Sequence, residues 1–560
     1  MANLNLPYGI DNFEKIRINH CYYIDKTEFI KELLTETFDV NLITRPRRFG
    51  KTLTISMLAE FFDIRKDTRA IFSGLAISEN PDICNQWQNK WPVLYLTLKD
   101  INGRNFQKAY GLLKNEISKL CKEHPCLGKS TLVDPDDQTI FLRLKAGTGS
   151  DIEVQCALDT LMRMMKAHYG KPVILLIDEY DVPLAKASDN GYYDDMLDII
   201  RTFLGMAWKS NPSLKFAVVT GCLRIAKESI FTGANNFISN SIFNEHYNRF
   251  FGFTQHEVEK LLNDAGYIHH LDDTRRWYDG YRFGGMEVYC PWDVINHIRA
   301  LTVNQNARPG NYWKDTSHNQ IIRRFIDKKS DSVNGKFERL LAGEAICETI
   351  MEDLNYDNAN SSETYLWSIL CLTGYLTETF PASSDAPLEG NAVWLRIPNE
   401  EVKTIFADTI KVWFTASIEA SDRRDLFKKW WDGDEKALTK EISDILFDTI
   451  SYFDYKEDFY HAFLAGLFSG AGYEVKSNSE QGTGRADIIV KERRHRRAIV
   501  IEAKWIGKDS NLEKECAKAL EQIRRKQYGR NLLMEGFTNI LSYGAAFFGK
   551  ECLIQGGRDQ

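Results

Sequence analysis

The chain lacks a run of roughly 18 apolar residues, which excludes a spanning helix of ordinary form. Its first residues, MANLNLPYGIDNFEK, lack the basic-then-apolar form of a secretory signal. Its eleven cysteines include no C-x-x-C pair and no zinc spacing. They read as reduced core thiols rather than a disulfide frame. These absences predict a cytoplasmic protein that does not insert into membranes. Internal repeats and low-complexity tracts are also absent, so solenoid and disordered classes are set aside. There is no excess of basic charge. The net charge is −7, which gives no global sign of nucleic-acid binding. With 43% hydrophobic and 27% charged residues over 560 positions, the chain is globular and has room for about three domains.

The most informative segment that is present is LITRPRRFGKTLTISML, Leu42 to Leu58. Val40 to Ile43 predicts a short buried strand, and Leu53 to Phe62 a helix. Gly50-Lys51-Thr52 between them ends a G-x-x-x-x-G-K-[ST] pattern. Gly50 allows close backbone approach, and the helix start presents free N–H groups to a phosphate. Lys51 is expected to reach the β and γ oxygens of ATP, and the Thr52 hydroxyl to hold Mg²⁺. Arg45 stands where the pattern expects its first glycine, which places it in the nucleotide-binding set.

KPVILLIDEYDVPL, Lys171 to Leu184, predicts a continuous apolar strand ending in Asp178-Glu179. Asp178 is expected to hold the Mg²⁺ hydration shell, and Glu179 to orient or deprotonate the attacking water. Trp91 to Asp100 and Ser213 to Lys227 supply further strands. Strands alternating with helices predict a parallel sheet with the site at its carboxyl edge. Thr220 is placed to sense the γ-phosphate. Arg224 either approaches the same charge or is a surface arginine.

Domain boundaries are expected near 245 and 435. Residues 1–245 form the nucleotide-binding core, 246–435 a mostly helical linker and lid, and 436–560 a third domain. Thr254 and Glu257 predict a capping box for a helix stopped by Gly266. Ser362 to Thr379 and Ala392 to Phe406 read as a helix followed by a two-stranded ribbon, a winged-helix-like pattern. Such units bind DNA in some proteins and pack against the ATPase in many.

Asp487, Glu502 and Lys504 form the second constellation. Ala486–Val490 and Ala498–Trp505 read as a hairpin centred between Arg494 and His495. That register sets Asp487 opposite Glu502, with Cα atoms roughly 4.5–5.5 Å apart. Glu502 and Lys504 share a face. Opposed carboxylates are poor sheet design unless a cation lies between them. Mg²⁺ suits such a pair, and Lys504 is placed to orient water or stabilise phosphorane charge. Glu457, Asp458 and His461 lie on the preceding helix, where an acid adds a ligand or only complements the dipole. The clusters Lys491–Arg497 and Arg524-Arg525-Lys526 are candidates for phosphate-backbone contact.

Through LPYGIDNFEKI, YYIDKTEFI, RPRRFGKTLTISML, LLIDEYDVPL and WYDGYRFGG, the chain resembles the AAA-ATPase-like family found in bacteria with a fused nuclease-like domain. FYHAFLAGLF, GRADIIV, IVIEAKW and ALEQIRRKQY resemble the PD-(D/E)xK nuclease superfamily. The resemblance implies a P-loop NTPase sheet with helices on both faces, ATP binding, and a restriction-endonuclease-like α/β domain. Arginine is frequent in that family where Arg45 stands. Gln522 and Tyr528 match a helix that packs near the nuclease site in some relatives. The superfamily includes inactive members, so cleavage is not implied. The expected function is an ATP-dependent or ATP-regulated, Mg²⁺-dependent nuclease acting on DNA. The alternatives are a signalling or scaffold ATPase whose nuclease-like domain only binds, and an ATPase motor with a structural C-terminal domain. The sequence leaves homo-oligomer formation open.

Overall fold

The computed structural model describes residues 4–225, 230–231, 236–313, 331–341, 343–354, 362–380, 390–406, 424–449, 457–481, 484–506 and 511–558. The chain divides into two compact units. One is Met1–Trp313 with Cys347–Val402, the other Lys314–Ile346 with Lys403–Gln560. Among the described residues no helix is long and apolar enough to cross a membrane.

The first unit is built on five parallel strands. Their order is Val93–Thr97, Val173–Asp178, Leu214–Gly221, Val40–Thr44, Phe237–Asn240. Val40–Thr44 and Val173–Asp178 are buried at every position, the pattern of parallel strands covered on both faces. The strand carrying Thr220 therefore lies between the phosphate-loop strand and the acidic strand. Helix Ala157–Tyr169 shows why the layers hold: it buries Leu158, Leu161, Met162 and Met165 in the same core as Leu175 and Ile177. Each such side chain contributes about 1.5–3 kcal/mol by burial.

Helix Gln255–Ala265 has the expected capping box, with Thr254 and Glu257 bonded reciprocally and Gly266 left-handed at its end. Helix Glu363–Leu372 is followed by an antiparallel ribbon in which Thr377 faces Arg396. The boundary expected near 245 falls inside the first unit. The physical reason is packing. Phe49 of the phosphate loop lies edge-on to Tyr281 and Phe283, with ring centroids 4.9 and 5.0 Å away. Asn399 donates to the Asp279 carbonyl at 2.8 Å.

The second unit holds a five-stranded mixed sheet. Its order is Glu474–Gln481, Gly484–Glu492, Arg497–Trp505, Asn539–Phe548, Glu551–Arg558. Arg497–Trp505 and Asn539–Phe548 are parallel, and helix Leu512–Lys526 forms part of their crossover. The hairpin closes through a short 3₁₀ turn at Arg493–His495. Its pairs run from Ile488 opposite Ile501 to Glu492 opposite Arg497, the register expected from the sequence.

Gly280 has φ +89°, and a Cβ there would lie 2.2 Å from the Pro398 carbonyl oxygen. Gly280→Ala is therefore expected to destabilise the first unit by about 2–4 kcal/mol. Chemical denaturation followed by tryptophan fluorescence checks this. Unchanged stability would mean that the two segments do not approach so closely.

Candidate functional site

The nucleotide site is assembled at the carboxyl edge of the parallel sheet. Gly50 caps helix Lys51–Phe62 with φ 86°, a conformation that costs a side-chain-bearing residue. Lys51 is 5% exposed, and its ammonium donates to the Arg45 and Pro46 carbonyls at 2.9 and 2.8 Å. Asp178 has no solvent exposure. Its two oxygens accept from Thr52 Oγ1 at 2.8 Å and Thr220 Oγ1 at 2.6 Å. The structure thus brings Thr52, Asp178 and Thr220 together, with Glu179 beside them.

Glu179 adopts φ 54°, an unfavourable backbone for a non-glycine residue. Burial raises its carboxyl pKa, the negative Asp178 raises it further, and Lys51 pulls the other way. A carboxyl so shifted is suited to taking a proton. Sequence reasoning missed Asp181, whose Oδ2 accepts from the Cys222 and Leu223 N–H groups at 3.0 and 3.1 Å. It holds the turn after Thr220. The signal was the second aspartate in Asp178-Glu179-Tyr180-Asp181.

Two expected phosphate ligands have other partners. The Arg45 guanidinium is fully buried and donates through Nη1 to the Thr44 and Asn240 carbonyls, at 2.8 and 2.9 Å. It also lies near the rings of Phe251 and Phe283, and burial lowers its pKa to about 9. Arg45 therefore contributes its backbone carbonyl, not its side chain, to the contacts of Lys51. Arg224 pairs with Asp353, Nε to Oδ1, at 2.8 Å, because short parallel strands bring the two residues opposite one another.

In the second unit, Asp487 and Glu502 occupy the next expected positions beyond the Ile488–Ile501 pair. Asp487 reaches across, and its Oδ2 accepts from the Ala503 N–H at 2.9 Å. Glu502 is 1% exposed. Its Oε1 accepts from Lys504 Nζ at 3.2 Å and from Gln522 Nε2. Its Oε2 is buried with no hydrogen-bond partner among the described residues. Burial raises the Glu502 pKa to about 7, Asp487 adds to the rise, and Lys504 opposes it. His461 on helix Glu457–Gly470 donates through Nε2 to the Asp487 carbonyl, since a carbonyl can only accept. The side chains of Glu457 and Asp458 lie outside the described residues.

An orphaned buried carboxylate oxygen opposite a second carboxylate fits a hard divalent cation. Among the described residues no group of three or more His, Cys, Asp or Glu gathers as a metal cage. Mg²⁺ needs no cage, since it takes one or two carboxylates and completes its shell with water and phosphate.

Several charges of the basic turn are paired within the fold, while Arg494 and Arg496 stay exposed. Lys491 is buried and paired with Glu535, Arg493 with Glu474, and Arg497 with Glu492. It also lies about five residues along the strand from Asp487, roughly 17 Å away. Helix Leu512–Lys526 is better placed. Gln522 touches Glu502, and Arg525 and Lys526 follow one turn later on the neighbouring helix surface.

The first unit is thus a P-loop nucleotide-binding fold, and the second carries a nuclease-like sheet with an acidic pair. Residues 7–231 match the family model described as predicted AAA-ATPase, and residues 455–556 match that of the PD-(D/E)XK nuclease superfamily. The chain carries both domains. It is also 24% identical over 540 residues to a protein of Azotobacter chroococcum mcd 1 described as "Uncharacterized protein in vnfD 5'region". The similarity covers 94% of this chain and 93% of that protein.

Proposed function

We propose that this protein binds ATP–Mg²⁺ in its first unit and is an ATP-dependent or ATP-regulated, Mg²⁺-dependent nuclease that cleaves DNA. The observation that carries the nuclease reading is Glu502. It is a buried carboxyl with an orphaned oxygen, opposite Asp487 and in contact with Lys504. An intact acidic pair with its lysine favours cleavage over a domain that only binds. Asp487 and Glu502 would hold the metal. When bound, Mg²⁺ supplies a lowered water pKa and charge stabilisation at the scissile phosphate. Lys504 orients the attacking water or offsets charge on the phosphorane, and Arg525 and Lys526 hold the backbone.

In the first unit, Lys51 contacts the terminal phosphates, and Thr52 and Asp178 would hold the metal. Thr220 senses the γ-phosphate, and Glu179 accepts the proton of the attacking water. Lys51→Ala is expected to weaken ATP binding strongly in a folded protein, as titration with a fluorescent ATP analogue will read. Unchanged affinity counts against the loop as the site. Glu179→Gln is expected to keep ATP bound but slow phosphate release by ~10²–10⁴. Equal turnover removes that role.

The nuclease test incubates the full chain with linear, circular and single-stranded DNA and with RNA, with Mg²⁺ or Mn²⁺, with and without ATP. Cleavage of DNA that needs metal and responds to ATP is the expected result. Asp487→Ala should lose metal binding and cleavage together. Lys504→Ala should keep the metal and lose ~10²–10³ in rate. If Mn²⁺ does not bind between Asp487 and Glu502, and no nucleic acid is cut, a binding module is the better reading.

A further inference from the structure

The segments WYDGYRFGG and YCPWD have no part in either site described above, yet they wall the phosphate loop. Besides the Phe49 contacts, the Arg48 guanidinium lies 4.1 Å from the centroid of the Trp292 ring. The Cys290 thiol reaches the Arg48 carbonyl at 3.9 Å. Arg48 has φ 73°, so its backbone is held in a costly conformation two residues before Gly50.

Behind this wall lie two carboxyl groups with no solvent exposure, Asp293 and Glu401. Asp293 sits in the first turn of helix Pro291–Val303. Glu401 Oε1 accepts from the Tyr312 and Trp313 N–H groups at 2.5 and 2.9 Å. Among the described residues no N–H or hydroxyl donates to either oxygen of Asp293 or to Glu401 Oε2, and the weak Cys290 thiol is the donor beside Asp293. Two such anions side by side would be buried, mutually repelling and unsatisfied. One shared proton removes all three conflicts, because Glu401 then becomes a strong donor to Asp293 beside the weak Cys290 thiol. Burial raises both carboxyl pKa values, and Asp293 raises that of Glu401 further. The other titratable groups around the pair are the Cys290 thiol and the phenols of Tyr278, Tyr281 and Tyr312, whose pKa values burial also raises. Arg48 supplies the positive charge that acts on Asp293.

We propose that Asp293 and Glu401 form a proton-sharing acid pair that positions Arg48 and so sets the shape of the phosphate-binding loop. Both are positioning residues, and the proposal rests on the loop being the ATP site. Loss of the proton places a second buried negative charge beside Arg48. That charge draws the guanidinium off Trp292 and turns the backbone just before Gly50. The sign follows from the raised carboxyl pKa values. The ordered loop holds the proton more tightly than a rearranged one, so ATP affinity is full at low pH and is lost as the proton leaves.

The test measures the affinity of the full chain for a fluorescent ATP analogue with Mg²⁺, from about pH 6.5 to about pH 9. Glu401→Gln mimics the protonated acid. Its amide N–H₂ donates to Asp293, and its amide oxygen keeps the Tyr312 and Trp313 bonds. Wild type should lose about tenfold more affinity than Glu401→Gln across this range, the effect of one pKa unit of coupling. Infrared difference spectra should show a protonated carboxylic-acid band in wild type that Glu401→Gln lacks. Parallel pH profiles with ATP bound in both proteins overturn the pair alone. Absence of the infrared band from wild type does the same, even if Glu401→Gln does not fold. Failure of wild type to bind ATP at any pH overturns the ATP reading and this proposal with it.

Discussion

A carboxylate with no solvent exposure needs a donor for each oxygen, and Asp178 finds its two on neighbouring elements. Thr52 comes from the start of the loop helix, and Thr220 from the strand inserted beside the acidic one. Hydrogen bonds to a charged group contribute about 1.5–3 kcal/mol each, and losing one leaves a buried charge short of a partner. The strand order follows from the same requirement, since Thr220 can reach Asp178 only if its strand is adjacent. Lys51 and Glu179, the neighbours of Thr52 and Asp178 in sequence, are then carried to the same edge.

Glu502 is the opposite case. Its sheet supplies donors to one oxygen and none to the other, while Asp487 faces it with a second negative charge. Such an arrangement opposes ionisation, which is why its carboxyl is pushed up to about 7. Asp178 is satisfied by the protein itself and is ordered without help. Glu502 is left with a deficit that a cation can fill. The two acids therefore differ in how fully the protein itself satisfies them.

Much of both sites was legible because their residues are contiguous or joined by a short turn. Gly50-Lys51-Thr52 and Asp178-Glu179 each end or begin one element, so a local pattern defines them. The Asp487–Glu502 register was legible because only a short turn separates the two strands. Long side chains were not legible. Arg45 lies at the phosphate loop, but its guanidinium goes to Asn240, and Arg224 goes to Asp353. Those destinations are set by strand pairings far along the chain. The pairing of charges in the turn Lys491–Arg497 was not legible for a related reason. Composition shows its positive charge, but not that folding brings Glu474 and Glu535 to it.

Asp178 takes side-chain hydroxyls on both oxygens, and Asp181 takes backbone N–H groups on Oδ2 while its Oδ1 has no partner among the described residues. Asp293 has only the weak Cys290 thiol and a proton on Glu401, and Glu502 keeps one oxygen with no donor among the described residues. In the sequence, local patterns mark Asp178 and Glu502 as candidate metal ligands, while nothing local assigns Asp181 or Asp293 a role. The donor that each finds decides its chemistry. Hydroxyl donors hold an anion in place, and backbone donors lock a turn. A shared proton makes the fit of the wall sensitive to pH, and an unmet oxygen opposite a second carboxylate invites a cation. Asp293 and Glu401 are over a hundred residues apart in sequence, so their pairing becomes visible only once the segments beyond Tyr278 fold against the phosphate loop. That contact carries the state of the wall to Arg48, and through Arg48 to the turn that presents Gly50 and Lys51.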